Sequence, residues 1–442
     1  MKSFLVTNVR ILTMNKTFDD IRSGSILIEG DTIRAVKGDG EEPDLSRVSD
    51  TTIIDGAGAI AVPGFINAHT HTGMIPFRSL GDDYPDRLRR FLLPLENKAM
   101  TRELAALSAQ YACAEMLLSG ITCFLDMYYF ENEIAKAVKS MGLRALLGQT
   151  VMGEKTCDSV MPHGGLALGE EFISRWLGDE LITPIIAPHA TNTNSPEKIV
   201  EAAELAAKYD VPISMHVSEM DYEIDHFKKT YNKTPLAFLD DLGALSLRFI
   251  AAHCIYATEA DLDILARSGS SVAHCIGSNT KSAKGVAPVQ EMLARGIPVA
   301  LGTDGPASGN TLDMFTQFNL FAKFHKTKAL NRTLFPARDI VKLATCDAAQ
   351  ALGLGSITGS IEVGKKADIT LIETQSVNMF PIFDPYSALV YSANASNVDT
   401  VFVNGQLLVR NKKLINTDLA DFRNALSDAM GFFRQEAEKL AV

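Results

Sequence analysis

Pro63-Gly64-Phe65-Ile66-Asn67-Ala68-His69-Thr70-His71 closes an apolar run that starts at Ala59. It ends in two histidines one residue apart. On a β-strand, residues i and i+2 face the same side, so His69 and His71 can point together into one cavity from a strand end. Two imidazoles held that way make half of a first-row metal site. An isolated His-x-His is more often two chance histidines, so its meaning depends on what the rest of the chain brings to it.

From about residue 58, short apolar strands alternate with helical stretches. The expected strands are Ala59–Phe65, Ile121–Met127, Leu143–Met152, Ile182–Pro188, Val211–Val217, Phe249–Cys254, Ser271–Cys275 and Pro298–Thr303. Each is followed by a helix. Alternating strand and helix units imply a parallel sheet with right-handed crossovers, and eight of them predict a closed (β/α)8 TIM barrel, an α/β fold. An open doubly wound sheet would carry a Gly-rich phosphate loop after an early strand, and none is present. Barrel active sites sit at the C-terminal strand ends.

The residues on either side of the barrel read as short strands. Gly30-Asp31 and Asn404-Gly405 are hairpin signals. Terminal strands that bracket a barrel most simply form one small β-sandwich. The expected division is residues 1–57 plus 359–413 as the sandwich, 58–358 as the catalytic barrel and 414–442 as a C-terminal helix packed on the body. In that tail, apolar residues at 419, 422, 426, 430, 433 and 437 have amphipathic helical spacing.

Composition bounds the class. The 442 residues are 46% hydrophobic and 21% charged, with 42 basic and 53 acidic residues and a net charge of −11. That balance disfavours nucleic acid and anionic membranes as partners. The six cysteines are scattered without a CxxC pair, as expected of reduced thiols. No apolar run approaches the roughly 18 residues that span a bilayer, and the first ten residues break off too soon for a signal peptide. The expected location is the cytoplasm. Homo-oligomerisation stays open.

Six of the nine histidines fall at expected strand ends: His69, His71, His189, His216, His253 and His274. The eighth strand runs into Gly302-Thr303-Asp304-Gly305. Asp304 could be a turn former, but it could also face His69, His71 and His216 across the barrel mouth. Three imidazoles and one carboxylate suit Zn2+ or a similar divalent metal with a position left for water, whose pKa would fall toward about 7. Glu219, three residues after His216, can reach the cavity without being a ligand, which suits general acid–base work. It could equally be a first-turn helix glutamate.

Taken together these residues resemble the amidohydrolase superfamily over nearly the whole chain. The marks are Pro63–His71, His216-Val217-Ser218-Glu219, Ala252-His253-Cys254, Ser278-Asn279-Thr280-Lys281 with Gly285–Pro288, Gly302–Gly305, and the tail pattern from Gly359 to Ile369. The resemblance is to the mononuclear aminohydrolase branch, which includes methylthioadenosine/S-adenosylhomocysteine deaminases, other heterocycle deaminases and triazine hydrolases. Binuclear relatives need a lysine at the fourth strand end, and here that end reads Ala187-Pro188-His189-Ala190.

The resemblance implies one divalent metal, zinc ahead of Fe2+, held by His69, His71, His216 and Asp304. It implies that Asp304 also takes a proton from the attacking water, that Glu219 protonates the ring nitrogen, and that His253 assists proton transfer. Gln149, His189, His274, Ser278 and Asn279 would face the substrate, with Asp86 on the lid, residues 74–96. The partner expected is a small heterocycle, best an adenine nucleoside of methylthioadenosine or adenosine type. The alternatives are the same chemistry on a pterin, pyrimidine or s-triazine (chlorohydrolase type included), a cyclic-amide hydrolase, or an inactive scaffold. Two departures matter. Gln149 and the following loop lack the arginines that bind a homocysteine carboxylate, and Asp86-Arg87 stands where the family has an acidic residue followed by Trp. Arg87, Arg89 and Arg90 read as a solvated helix face, with contact to an anionic substrate as the alternative.

Overall fold

The computed structural model describes residues 2–38, 40, 41, 43–46, 50–85, 87–246, 248–415 and 417–441. Among the described residues, sixteen strands form two sheets. From the N-terminus come β1 (Ser3–Leu12), β2 (Asp20–Glu29), β3 (Thr32–Lys37) and β4 (Thr51–Pro63). The barrel strands are β5 (Phe65–Thr70), β6 (Ile121–Tyr128), β7 (Arg144–Val151), β8 (Ile182–Pro188), β9 (Ile213–Val217), β10 (Phe249–His253), β11 (Ser271–His274) and β12 (Val299–Leu301). The C-terminal strands are β13 (Ile369–Ile372), β14 (Val398–Val403), β15 (Gln406–Arg410) and β16 (Lys413–Leu414).

β5 to β12 pair in order and in parallel. The ring closes between β12 and β5. Low in the seam, the Leu301 and Ile66 amides donate to the Leu343 and Ala344 carbonyls. Higher up, the Asp304 amide donates to the His69 carbonyl at 3.0 Å. There the Asn67 amide group also donates to Thr303 Oγ1 at 2.7 Å and accepts from the Thr303 backbone amide at 2.9 Å. The closure of the barrel and the placing of two expected ligands are therefore one event.

The barrel interior is a tight apolar set that includes Ile66, Ala68, Cys123, Leu125, Leu146, Ile185, Ile250, Ala273 and Ala300. The alternate residues, such as Phe65, Phe124, Leu147, Ala251, Val272 and Leu301, belong to the larger core packed against the outer helices. β5 carries an irregularity. Asn67 pairs with Phe124 and Thr70 with Asp126, so three steps on β5 match two on β6. This bulge reverses the alternation. Ile66 and Ala68 face inward below it, and His69 and His71 face inward above it.

The terminal sheet has the order β16-β15-β14-β13-β4-β1-β2-β3, drawn from both ends of the chain. It curls, so that the β3 edge meets residues 364–367: Ile33 donates to Lys365, and Gly364 to Ile33. Phe4, Ile28, Ile33, Ile369 and Phe402 share the enclosed core. Both expected hairpin turns, Gly30-Asp31 and Asn404-Gly405, lie between paired strands. The sheet is riveted to the barrel by buried Arg144, which donates to Asp368 (3.0 Å) and Asn404 (3.2 Å).

Three expectations change. The apolar run 59–65 divides at Gly64, where a Cβ would strike the Thr122 side chain at 2.1 Å. Residues 59–63 thus extend β4 of the terminal sheet, and the first barrel strand starts at Phe65. The stretch from Gly359 contributes a strand only from Ile369 to Ile372. The tail is two helices, Leu419–Ala429 and Gly431–Ala441, and the second packs on the lid through Phe433 against Phe77 (4.7 Å between ring centres).

Candidate active site

His69, His71 and His216 bring three imidazole nitrogens within 4.8 Å of one another at the C-terminal end of the barrel. His71 Nδ1 lies 2.7 Å from the Met127 carbonyl, and His216 Nδ1 lies 2.5 Å from the His189 carbonyl. A carbonyl only accepts, so in each neutral ring Nδ1 carries the proton and Nε2 the lone pair. His71 Nε2 faces Asp304 Oδ1 at 3.3 Å, and His216 Nε2 faces His69 Nε2 at 3.2 Å. His69 Nδ1 is buried without a partner. Lone pairs and a carboxylate aimed at one point repel unless a cation sits among them. Carbonyls that fix the tautomer of ligating histidines are the usual supporting arrangement. His69, His71, His216 and Asp304 therefore fit a divalent metal.

The electrostatics agree. Burial alone would push the His71 imidazole down, but Asp304 and the Met127 carbonyl outweigh it and bring the group up to about 9. Burial likewise opposes ionisation of Asp304, but His71 and the neighbouring imidazoles hold it well below the ordinary carboxylate range. The pocket is built to favour a positive charge beside Asp304.

Two backbone turns shape the rim. His253 has φ 73° and Asp304 has φ 60°, both left-handed. Non-glycine residues hold that conformation only when their surroundings enforce it, and such sites cluster where function needs them. By alternation His253 would face outward like Ala251. The left-handed turn instead brings its ring within 5.5 Å of His69 and 5.4 Å of His216, with Nε2 3.7 Å from Glu219 Oε1. His274 has the same alternation on β11 and no such turn. Its ring packs against Phe321, and its Nε2 lies 3.2 Å from His325 Nε2 on the outer helix Met314–Ala329. The strand thus turns His274, expected to face the substrate, into the barrel–helix interface.

Ser278 and Asn279, expected to face the substrate, bond to other groups of the site. Ser278 Oγ donates to Asp304 Oδ2 at 2.7 Å, and Asn279 Oδ1 lies 2.8 Å from His253 Nδ1. Both support residues of the site. Gln149 donates to Asp158 at 2.7 Å and so ties down the loop after β7. Its amide is committed there and does not stand free for substrate. His189 is half-buried, 5.0 Å from the His216 ring, with Nδ1 beside Thr193 Oγ1. Asp86 lies outside the described residues.

Arg87 is no part of a solvated face. It donates to the carbonyls of Leu80, Phe77 and Ala307 and pairs with Asp82 at 3.0 Å. Asp82 also accepts from Lys281 (2.9 Å) and Asn310 (2.8 Å). The lid is thus fastened to the segments after β11 and β12. Arg90 stacks over Tyr84, and Arg89 over Tyr222. The lid itself holds a helix, Leu93–Ala99, that the sequence did not announce.

Several site residues were not singled out from the sequence. Glu223 accepts from the backbone amides of Ser218 (2.9 Å) and Glu219 (2.8 Å), which sets the turn that carries Glu219. Asp126 accepts from the Thr72 amide and hydroxyl directly after the His-x-His. Lys284 donates to Glu219 Oε1 at 2.5 Å. A glutamate at the third position of a helix is a readable signal for Glu223. The other two pairs join distant segments and leave none.

Two expected results arise from this packing. At Gly302 an added Cβ would sit 3.0 Å from Cys275 Sγ, His69 Cβ and the His69 amide nitrogen. Gly302→Ala is expected to displace His69 and lower metal affinity by about ten- to a hundredfold, read by equilibrium dialysis. Glu96, buried on the lid helix, is raised from 4.5 to about 7 by burial, with Tyr128 and His71 only partly opposing this. Its folded pKa exceeds its unfolded one, so its contribution to stability is complete below about 4.5 and is lost as pH rises through about 7. Glu96→Gln is expected to gain on the wild type across that window, by up to about 3 kcal/mol at pH 8 and little at pH 4. Denaturant melts of both proteins at the two pH values check it.

The chain matches the amidohydrolase family over residues 60–408. It is 38% identical to 5-methylthioadenosine/S-adenosylhomocysteine deaminase 1 of Syntrophus aciditrophicus, over 93% of each chain. It is 36% identical to a 5'-deoxyadenosine deaminase of Methanosarcina barkeri, over 95% of each. Among solved structures, a zinc-bound adenosine deaminase from Xanthomonas campestris superimposes with a TM-score of 0.93 at 30% identity, covering 98% of this chain and 99% of the other. The protein belongs to the amidohydrolase family. It is a metal-dependent hydrolase acting on C–N bonds, with a TIM-barrel catalytic centre for a divalent ion. Among the described residues, no helix is long and apolar enough to cross a membrane.

Proposed function

We propose that this protein hydrolytically deaminates an adenine nucleoside of the methylthioadenosine or adenosine type, releasing ammonia, with zinc as the metal and the cytoplasm as its location. The observation that carries the reading is the Glu219 carboxylate, beside His253 at 3.7 Å and outside the ligand set. Amide hydrolysis needs a proton on the leaving nitrogen only. Replacing an amino group on an aromatic ring needs a further one, because attack on the ring carbon must be matched by a proton on the adjacent ring nitrogen. Relatives named as methylthioadenosine and deoxyadenosine deaminases support the choice of ring.

His69, His71, His216 and Asp304 would hold the metal, which when bound would make an activated water available at neutral pH. The chain's own groups move the protons. His253 Nδ1 faces Asn279, so in the neutral ring its Nε2 lone pair is available to take a proton from the attacking water. Asp304, held ionised, is a second acceptor, and Ser278 fixes its outer oxygen. Glu219 is opposed by burial, but His253, Lys284 and His216 bring it down to about 2. It therefore begins the reaction as a carboxylate, collects one proton from the water and delivers it to the ring nitrogen; the second proton, taken by His253 or Asp304, passes to the amino group, which departs as ammonia as the C–N bond breaks. His189, beside His216, is placed to contact the substrate.

An ammonia-release screen of the zinc-loaded enzyme tests this across purine nucleosides, free bases, pterins and triazines. The highest kcat/KM is expected for a 5'-modified adenosine. Turnover confined to a pterin or triazine would replace the substrate while keeping the chemistry. No turnover of any of these compounds by metal-replete protein would favour the inactive scaffold.

A further inference from the structure

One segment, running from the helix Ile276–Lys281 through the turn to Lys284, supplies a partner to each of three groups of the site. Ser278 holds Asp304, Asn279 holds His253, and Lys284 holds Glu219. Asp304 and His253 are held by neutral groups. Only Glu219 is held by a cation.

The contact is built rather than incidental. Lys284 and Glu219 are both largely withdrawn from solvent, with side-chain exposures of 19% and 17%. The Lys284 backbone is fixed at both of its polar groups: its amide donates to the Asn279 carbonyl at 3.0 Å, and its carbonyl accepts from Tyr256 Oη at 3.2 Å. The preceding Ala283 has φ 53° and the following Gly285 has φ 129°, so the turn that presents the lysine is unusual on both sides. A surface lysine needs none of this. Holding a long, flexible side chain against one carboxylate oxygen costs conformational entropy, which a loosely placed ion pair does not recover.

We infer that Lys284 is a positioning residue for the proposed deamination: its ammonium occupies Glu219 Oε1 and leaves Oε2 as the oxygen that carries the proton to the substrate ring. The inference rests on the deaminase reading. The one side-chain hydrogen bond to the carboxylate among the described residues falls on Oε1, and His253 Nε2 stands 3.7 Å from the same oxygen without bonding to it. A carboxylate with one oxygen pinned can present the other in a single orientation, whereas a free one samples several. Proton transfer to a ring nitrogen depends on that orientation, and displacement by about 1 Å can cost on the order of a hundredfold.

The test uses the metal-loaded holoenzyme in four forms besides wild type: Lys284→Met, Lys284→Arg, Glu219→Gln and the Lys284→Met/Glu219→Gln double. Lys284→Met is expected to lower kcat by about ten- to a hundredfold, with KM and metal content little changed. Lys284→Arg is expected to recover most of that loss. Added to Glu219→Gln, the Lys284→Met change is expected to cost nothing more, because the group it orients is already disabled. An equal loss in both backgrounds would show a structural role and overturn the inference. So would a raised KM with kcat intact, which would make Lys284 a substrate contact, or an unchanged Lys284→Met enzyme. A crystal structure of Lys284→Met gives a readout apart from turnover: an unmoved Glu219 side chain would also overturn it. The failures separate cleanly. Full activity in Glu219→Gln defeats the deaminase reading itself, whereas a dead Glu219→Gln beside an undiminished Lys284→Met defeats only the role of the lysine.

Discussion

Glu219→Gln is expected to bind metal as the wild type does and to lose turnover by about a hundred- to ten-thousandfold, the usual worth of a positioned proton donor. The substitution keeps the shape and the backbone contacts, since the Glu219 amide is held by Glu223 and not by its own side chain. What it removes is a site that can gain and release a proton. Glutamine can still accept from Lys284 through its carbonyl oxygen, so the loop should not rearrange. Metal analysis by atomic emission, and steady-state kinetics on the best substrate of the screen, read the two halves separately. A variant that keeps its metal and most of its rate would remove the basis for the proton relay.

Asp304→Asn has the second large effect. Asp304 is held as an anion by His71 and the surrounding imidazoles, and its Oδ1 also accepts from the Gly305 amide at 2.6 Å. An amide has no charge to offer a divalent ion, and its NH2 group can donate to the His71 Nε2 lone pair and so consume a ligand. Loss of metal affinity by at least about a hundredfold is expected, above the cost of disturbing supporting residues, with activity falling to background. The barrel should survive, because the closing bond between residues 304 and 69 is made by backbone atoms that asparagine retains. Equilibrium dialysis with zinc and far-ultraviolet circular dichroism distinguish metal loss from unfolding. Full metal occupancy in Asp304→Asn would take Asp304 out of the ligand set.

Much of the architecture was legible because parallel barrel strands are continuous apolar runs and the helices between them are long. Ile182–Pro188 was found to the residue, and the other barrel strands apart from the first lay within two residues of their observed ends. The break at Gly64 was hidden because β4 and β5 are both buried and adjoin, so nothing in polarity marks the passage from one sheet to the other. His253 and His274 show the limit at the site. Both close a strand in the same phase, and only a left-handed backbone angle at one of them sends it inward. Side-chain pattern carries no record of that angle. Arg87 looked like a solvated charge because its partners are backbone carbonyls of residues 77, 80 and 307, groups that every sequence position has. Lys284 sits in a short polar turn, where lysine is ordinary, and its partner is 65 residues away.

The bulge in β5 acts as a phase shift in a two-beat rhythm. Below it the inward beats carry Ile66 and Ala68, which fill the barrel; above it they carry His69 and His71. Deleting one residue from the bulge would restore the regular beat and rotate both histidines into the outer wall, while leaving every apolar residue beneath in place. The closing bond from the Asp304 amide to the His69 carbonyl would move with them, so the reactive centre and the upper seam of the barrel hang on the same codon. A chain so shortened is expected to keep its lower core and to lose both its chemistry and that part of its closure.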